Sequence, residues 1–212
     1  MFKTMGISER KEREKERRKN DIIDAAENIF FEKGFDTATM DDVANEAELS
    51  KGTLYLYFRN KEELHFSIIV RGIKILSEIF NKSISQNKPA NENLLEIGKA
   101  YVQFSQKHNN YFKAIMQFHS SKIDKISDEQ KQIIFQPESP LMFFINILEK
   151  GKEDGTIRSD IPTNELAILL WSQTSGAMEF IVLRQEMLNM FDINIEDMIM
   201  NNFKILLDGV NN

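Results

Sequence analysis

The chain has 212 residues, 42% of them apolar, a formal net charge of −6 and no Cys. That composition excludes disulfides, thiolate catalysis and Cys-ligated zinc, argues against a surface that coats nucleic acid indiscriminately, and still supplies a real hydrophobic core. Four Pro and nine Gly, with Leu, Ile, Glu, Lys and Met recurring at helical spacing, predict an all-α fold, and the lack of any run of about 18 apolar residues or of a signal-peptide pattern predicts a cytoplasmic address with no membrane span.

Residues 1–19 hold eight Lys or Arg against four Glu. This charged N-terminal extension reads either as a phosphate-seeking arm or as a solvated helix, with Glu9 and Arg13, and Glu14 and Arg18, at i,i+4 spacing. From Asn20, the residues Ile22, Ala25, Ala26, Ile29 and Phe30 form one apolar stripe that stops at Gly34, which predicts a first helix ending near Lys33. Thr39, with Asp42 at N3, has the form of a capping box and opens a short second helix to about Ala47. Ser50 caps a third helix, to Tyr57 or Phe58, and two short helices joined by so tight a turn make a helix-turn-helix. Asn60 caps a longer fourth helix carrying Leu64, Ile68, Ile69 and Ile73, and further helices are expected at about 90–107, 111–121, 139–153, 163–188 and 194–208. The predicted division is an extension over 1–19, a helix-turn-helix domain over 20–65 and a helical effector-binding and dimerisation domain over 66–212.

The segment TMDDVANEAELSKGTLYLYFRNKEEL, Thr39 to Leu64, carries the function. With the third helix starting at Ser50, Leu54 and Phe58 are i,i+4 neighbours and pack with Val43, Ala47 and Leu49 of the second helix. The faces left over present Lys51, Gly52, Thr53, Tyr55, Leu56 and Tyr57, a set suited to phosphate contact, close backbone approach and thymine-methyl packing in a major groove. The N-termini at Thr39 and Lys61 offer N–H groups and positive dipole ends to phosphates. A plain helical hairpin, with the aromatics as core and the charges solvated, is the alternative; it makes the caps, the turn and the polar face coincidences.

This segment resembles the signature of the tetracycline-repressor (TetR) family of bacterial regulators. The likeness spans about 20–70, on Thr39, Ala44, Ala47, Ser50, Gly52, Thr53, Tyr55, Tyr57, Phe58, Lys61 and Leu64; the rest of the chain matches only in layout. The resemblance implies that Thr39, Tyr57 and Lys61 hold phosphates, that Lys51, Gly52, Thr53 and Tyr55 face bases or their flanking backbone, and that the last two helices form a dimer bundle. Two positions depart from the family pattern. Glu48 stands where the family usually has Gly, so a left-handed turn there carries a steric cost, and Leu56 stands where a polar group is common.

Beyond the motif, the predicted helices at 163–188 and 194–208 have apolar faces broad enough to need partners on more than one side, which a homodimer through the last two helices supplies, and Ser175, Gly176 and Ala177 offer a small-residue spot for close approach. Phe and Met recur between them and the motif. Most such residues are core, but an adaptable apolar cavity is what a sensor of hydrophobic molecules needs, and Phe112, Met116, Phe144 and Trp171 are the candidate lining with Gln117, Gln173 and Thr174 as polar anchors. His65, His108 and His119 form no helical pair, so no metal site is expected. No phosphate loop, nucleophile elbow or metalloprotease motif is present, and neither catalysis nor a cofactor is expected. The sequence therefore reads as a regulator, with double-stranded operator DNA and a small-molecule effector as partners, released from a palindromic operator when an apolar or amphipathic effector binds. The rival readings are a ligand-independent architectural DNA-binding protein and, behind it, an all-helical enzyme.

Overall fold

The computed structural model describes residues 7–118, 125–133, 136–137 and 139–211. His119 and the first six residues of the charged extension lie outside the described residues. The elements are α1 (Ile7–Lys33), α2 (Met40–Glu46), α3 (Lys51–Tyr55), α4 (Lys61–Ser83), α5 (Ala90–Lys107), α6 (Asn109–Met116), α7 (Asp128–Ile133), α8 (Pro140–Glu153), α9 (Thr163–Leu183), α10 (Gln185–Met190) and α11 (Ile195–Val210). The fold is all-α, as its composition implies; among the described residues the one β-type pairing is an isolated bridge between Ile157 and Asn211. The described residues form two compact units, 7–70 with 125–130, and 71–118 with 131–133, 136–137 and 139–211.

In the first unit the stripe Ile22, Ala25, Ala26, Ile29 and Phe30 is buried, and Val43, Leu54, Phe58 and Leu64 complete its core. Gly34, at φ 79°, closes α1 by donating its N–H to the Phe30 carbonyl at 3.0 Å, the left-handed stop that a residue without Cβ adopts freely. From Ile7 the charged extension is helical and continuous with α1, and residues 8–17 are exposed.

The core of the second unit gathers Leu76, Phe80, Ile97, Phe104, Phe112, Leu148, Leu170 and Phe203. α5 packs on α8 and α11, and α9 packs on the same two helices. Buried Asn93 ties down the α4–α5 loop, donating to the carbonyls of Ser85 (2.9 Å) and Lys88 (3.2 Å) and accepting from the Ser85 N–H (2.9 Å). α8 begins at its expected place because Ser139 accepts from the Met142 N–H at 3.3 Å with Pro140 in the first turn, and α11 because Asn194 accepts from the Asp197 N–H at 3.0 Å.

Three expectations change. The helix predicted at 163–188 is two helices, since Arg184, at φ −124° and ψ 27°, leaves helical geometry between α9 and α10 and lets Leu188 turn inward to 2% exposure. The helix predicted at 111–121 starts two residues earlier and ends at Met116, because His108 (φ −120°, ψ 42°) breaks from α5 directly into α6. α7 was not expected at all; six residues are too few to display a periodic stripe.

Gly151 marks the tightest helix approach in this unit. A β-carbon there would fall inside contact distance of Ile157 and 2.8 Å from the Ala90 β-carbon. Gly151→Ala should therefore lower the urea midpoint, at a cost of about 1–3 kcal/mol; an unchanged midpoint would mean that α8 slides aside freely.

Candidate functional site

The helix-turn-helix is built by caps as much as by its core. Thr39 accepts from the Asp42 N–H at 3.1 Å, while the Asp42 carboxylate accepts from the Thr39 N–H at 2.9 Å and its hydroxyl at 2.7 Å, the reciprocal box that satisfies two donors at once. Lys33 donates to the other Asp42 oxygen at 2.7 Å. Lys33 first and then Thr39 pull the Asp42 carboxyl down to about 2. Between α2 and α3 the chain turns through Glu48 at φ 53°, the left-handed conformation expected at the position where glycine is usual. Ser50 then caps α3, accepting from the Thr53 N–H at 3.1 Å, with the two hydroxyls 2.8 Å apart.

This frame sets the exposure of the predicted contacts. Leu54 and Phe58 are buried, anchoring α3, and Lys51, Gly52 and Tyr55 are exposed on its outer face with Thr53 and Tyr57 half-buried beside them. A β-carbon on Gly52 would meet nothing nearer than the Ser50 hydroxyl at 3.9 Å, so its backbone is open to a partner. Leu56 is 81% exposed and packs against no following helix. Lys51 is 2.7 Å from Asp41, both side chains exposed, a pairing weak enough to yield to a phosphate.

Lys61 is arranged otherwise. Its ammonium donates to the carbonyls of Phe35 (2.6 Å), Ala38 (2.8 Å) and Asp36 (3.3 Å) and lies 4.4 Å from the Phe35 ring centroid. The charge expected to reach for a phosphate is spent on closing the α1–α2 turn, leaving the backbone at the start of α4 as the outward feature. There Asn60 accepts from the Glu63 N–H at 2.7 Å and donates to the Lys125 carbonyl at 3.2 Å, and Lys125 pairs with Glu62 at 2.7 Å, holding the Glu62 carboxyl below its usual range.

Residues 22–68 match the family model described as bacterial regulatory proteins, tetR family. Residues 22–68 thus carry a DNA-binding domain of the TetR-family type. It is 27% identical over 154 residues to the uncharacterised HTH-type regulator YhgD of Bacillus subtilis, covering 72% of this chain and 78% of that one. It is 43% identical over 47 residues, 22% of this chain and 25% of the relative, to IcaR of Staphylococcus epidermidis, a negative regulator of a biofilm operon. Its fold is that of the regulator FadR of Bacillus subtilis in complex with stearoyl-CoA, with a TM-score of 0.69 at 20% identity over 89% of this chain and 97% of that structure. TetR-family proteins are transcriptional regulators rather than enzymes, they bind operator DNA and they act as dimers.

The second unit contains a cavity of about 240 Å3, walled by Ile73 and Leu76 of α4, Ile115 of α6, Ser139, Pro140 and Leu141 at the start of α8, and Ile168, Trp171 and Ser172 of α9, the exposed Ile168 standing at its rim. Two smaller spaces, of about 20 and 30 Å3, share Phe144, Thr174 and Phe203, and Trp171 is common to the first of them and the large cavity. Trp171, Phe144 and Thr174 thus come together as the sequence suggested. Phe112, Met116, Gln117 and Gln173 line none of the three spaces. Phe112 is 1% exposed, its ring 5.7 Å from Tyr101; Gln117 follows the end of α6; and Gln173, two positions and about 200° round the helix from Trp171, points to solvent. Tyr101 and Ser175, which line the 20 Å3 space, were passed over, because a tyrosine on an apolar helix face looks like core and a serine beside Gly176 looks like a helix contact.

Apolar side chains also stand outside: Ile168, Phe180 and Leu183 on α9, Met190 on α10, Phe191 after it, and Ile205 on α11. α9 is also long and apolar enough, by length and composition alone, to span a membrane. A β-carbon on Gly176 would touch nothing within 4 Å, so that side of α9 is open.

Two outcomes follow for the first unit. Lys61→Met should cost roughly 2 kcal/mol of stability by stranding its carbonyl acceptors, read as a lower denaturation midpoint; no change would mean those carbonyls find water. Asp42 has a folded pKa of about 2 against an ordinary 3.8, so its contribution is complete above the unfolded value and is lost as pH falls through the folded one. The midpoint gap between the native chain and Asp42→Asn should accordingly be constant near neutrality and close as pH drops from about 4 to about 2; a gap that persists in acid would show that the carboxylate is not what Asn fails to replace.

Proposed function

We propose that this chain is a ligand-responsive repressor, a homodimer that holds a palindromic operator through α3 and releases it when a small apolar or amphipathic effector occupies the second unit. The observation that carries this reading is the split of α3 into a buried side, Leu54 and Phe58, and an outward side of Lys51, Gly52, Thr53 and Tyr55. Side chains of those types read base edges and flanking phosphates, and a helix held from below can enter a major groove. Thr39, Ser50 and Tyr57 take phosphates at the margins, and at Lys61 the phosphate partner is the backbone N–H at the start of α4, since the ammonium is engaged inside. In this reading the first unit is the DNA-binding domain and the second the effector domain.

The apolar surface of α9, α10 and α11 supports pairing of two protomers through the last helices rather than insertion in a bilayer, because α9 also carries Glu165 and Glu179. A cytoplasmic address goes with that role. That IcaR is a negative regulator supports repression, and the stearoyl-CoA bound by FadR supports an effector with a long apolar part. α4 is the natural lever: one uninterrupted helix begins at the proposed phosphate contact and carries Ile73 and Leu76 to the cavity wall. Coupling of this kind is typically worth about 1–3 kcal/mol and is reciprocal, so operator DNA must weaken effector binding as much as effector weakens operator binding.

Selection from a randomised duplex library at near-physiological salt, followed by footprinting, should yield an inverted repeat protected on both half-sites. The double variant Leu183→Glu, Ile205→Glu should sediment as a monomer and protect nothing, because both side chains, 62% and 71% exposed in the protomer, lie on the proposed dimer face. A monomeric variant that still gives the full footprint, or a native chain that enriches no sequence, would overturn the proposal.

A further inference from the structure

We propose that the Tyr101 and Ser175 hydroxyls are the specificity element of the effector site, selecting an apolar molecule that carries an uncharged hydrogen-bond acceptor such as a ketone, ester or thioester carbonyl. The inference rests on the effector reading above and adds to it the chemical class that the site accepts.

Tyr101 is 5% exposed, and among the described residues neither its hydroxyl nor that of Ser175 meets hydrogen-bond geometry with a partner, though the two stand near enough for Ser175 to act on the phenol. Both line the 20 Å3 space, between Phe80, Ile97 and Trp171. Buried hydroxyls are almost always paired, because an unmet donor in an apolar wall forfeits its hydration without return. Two such donors, one on α5 and one on α9, converging on one small space form a receptor for a single acceptor atom. The space admits about one water or one carbonyl oxygen, and no more. Trp171 is the shared wall with the 240 Å3 cavity, which has the room for the rest of a ligand.

The charge pattern narrows the class. Apart from Tyr101, no ionisable side chain among the described residues lines any of the three spaces, so none of them compensates a buried carboxylate or ammonium. Burial pushes the Tyr101 phenol up to about 12, and the nearby Ser175 hydroxyl offsets only part of that rise. The phenol is therefore a donor at any physiological pH, and it favours an acceptor that needs no proton of its own. An ionised head, where a ligand has one, stays outside these spaces.

Trp171 is the sole tryptophan of the chain and borders both spaces, so its fluorescence reports occupancy directly. The native protein, Tyr101→Phe and Ser175→Ala are titrated with 2-decanone, 1-decene and decanoate. Each substitution should weaken 2-decanone roughly tenfold and leave 1-decene within about twofold, with decanoate the weaker of the two oxygenated probes in the native protein. The unliganded Tyr101→Phe protein should melt no lower than the native one, since it loses a hydroxyl that had no protein partner. A ketone affinity that ignores both substitutions, an equal loss for ketone and alkene, a drop in the unliganded melting point, or no fluorescence response to any probe would each overturn the assignment. The operator footprint, run with the same probes, separates this from the parent reading. Hydroxyl-dependent ketone binding that leaves the footprint intact would keep the specificity pair and sink the effector role, whereas footprint release by ketone and alkene alike, unaffected by either substitution, would do the reverse.

Discussion

A helix of five residues has no stability of its own, because nucleation costs more than a single turn of hydrogen bonds returns. α3 therefore exists only because Leu54 and Phe58 are buried in its unit, with α2 packed against α3 and Lys19 of α1 over the Phe58 ring, and because Ser50 supplies a cap that the backbone lacks. Everything proposed about DNA depends on that arrangement. Burial on one side fixes which side chains face out on the other, and the caps fix where the helix begins, so Lys51, Gly52, Thr53 and Tyr55 are displayed in one orientation rather than an ensemble of them. The left-handed Glu48 is the local cost of turning from α2 to α3 in so few residues.

Around that element the polar groups of the first unit serve mainly as fasteners. Asp42 meets Thr39 and Lys33, and Lys61 meets the carbonyls of the α1–α2 turn. The charges near the proposed DNA face are of two kinds. Lys51 is held by an exposed partner that competes poorly with a phosphate, whereas the Lys61 ammonium is coordinated from three directions by groups that would be stranded if it left.

In the proposed function the second unit has a different task, which is to remain packed while keeping room for an effector. It does so with large, adaptable side chains around modest spaces, Trp171 and Phe144 standing 6.2 Å apart edge to face, and with glycines at the places where helices come closest, Gly98 of α5 against Phe203 of α11 and Gly151 of α8 against Ala90 of α5. Its outer surface keeps apolar residues on α9 and α11 that a lone protomer gains nothing by displaying.

By itself the sequence determined the helical class, the caps at Thr39, Ser50 and Asn60, the stop at Gly34, the strained turn at Glu48 and the two sides of α3, because each is a local matter of spacing, hydrogen-bonding side chains and backbone freedom within a few residues. It also carried the family likeness, which is concentrated in those same local signals. It did not determine the break at Arg184, the short α7, the inward turn of the Lys61 ammonium, or which polar residues meet the cavities. Gln117 and Gln173 stand away from the spaces that Tyr101 and Ser175 line, whose surroundings are assembled from helices far apart in the chain. Which face of a helix becomes a wall, and whether a buried hydroxyl finds a partner, are decided only when those helices pack, and no periodicity along the chain records that outcome.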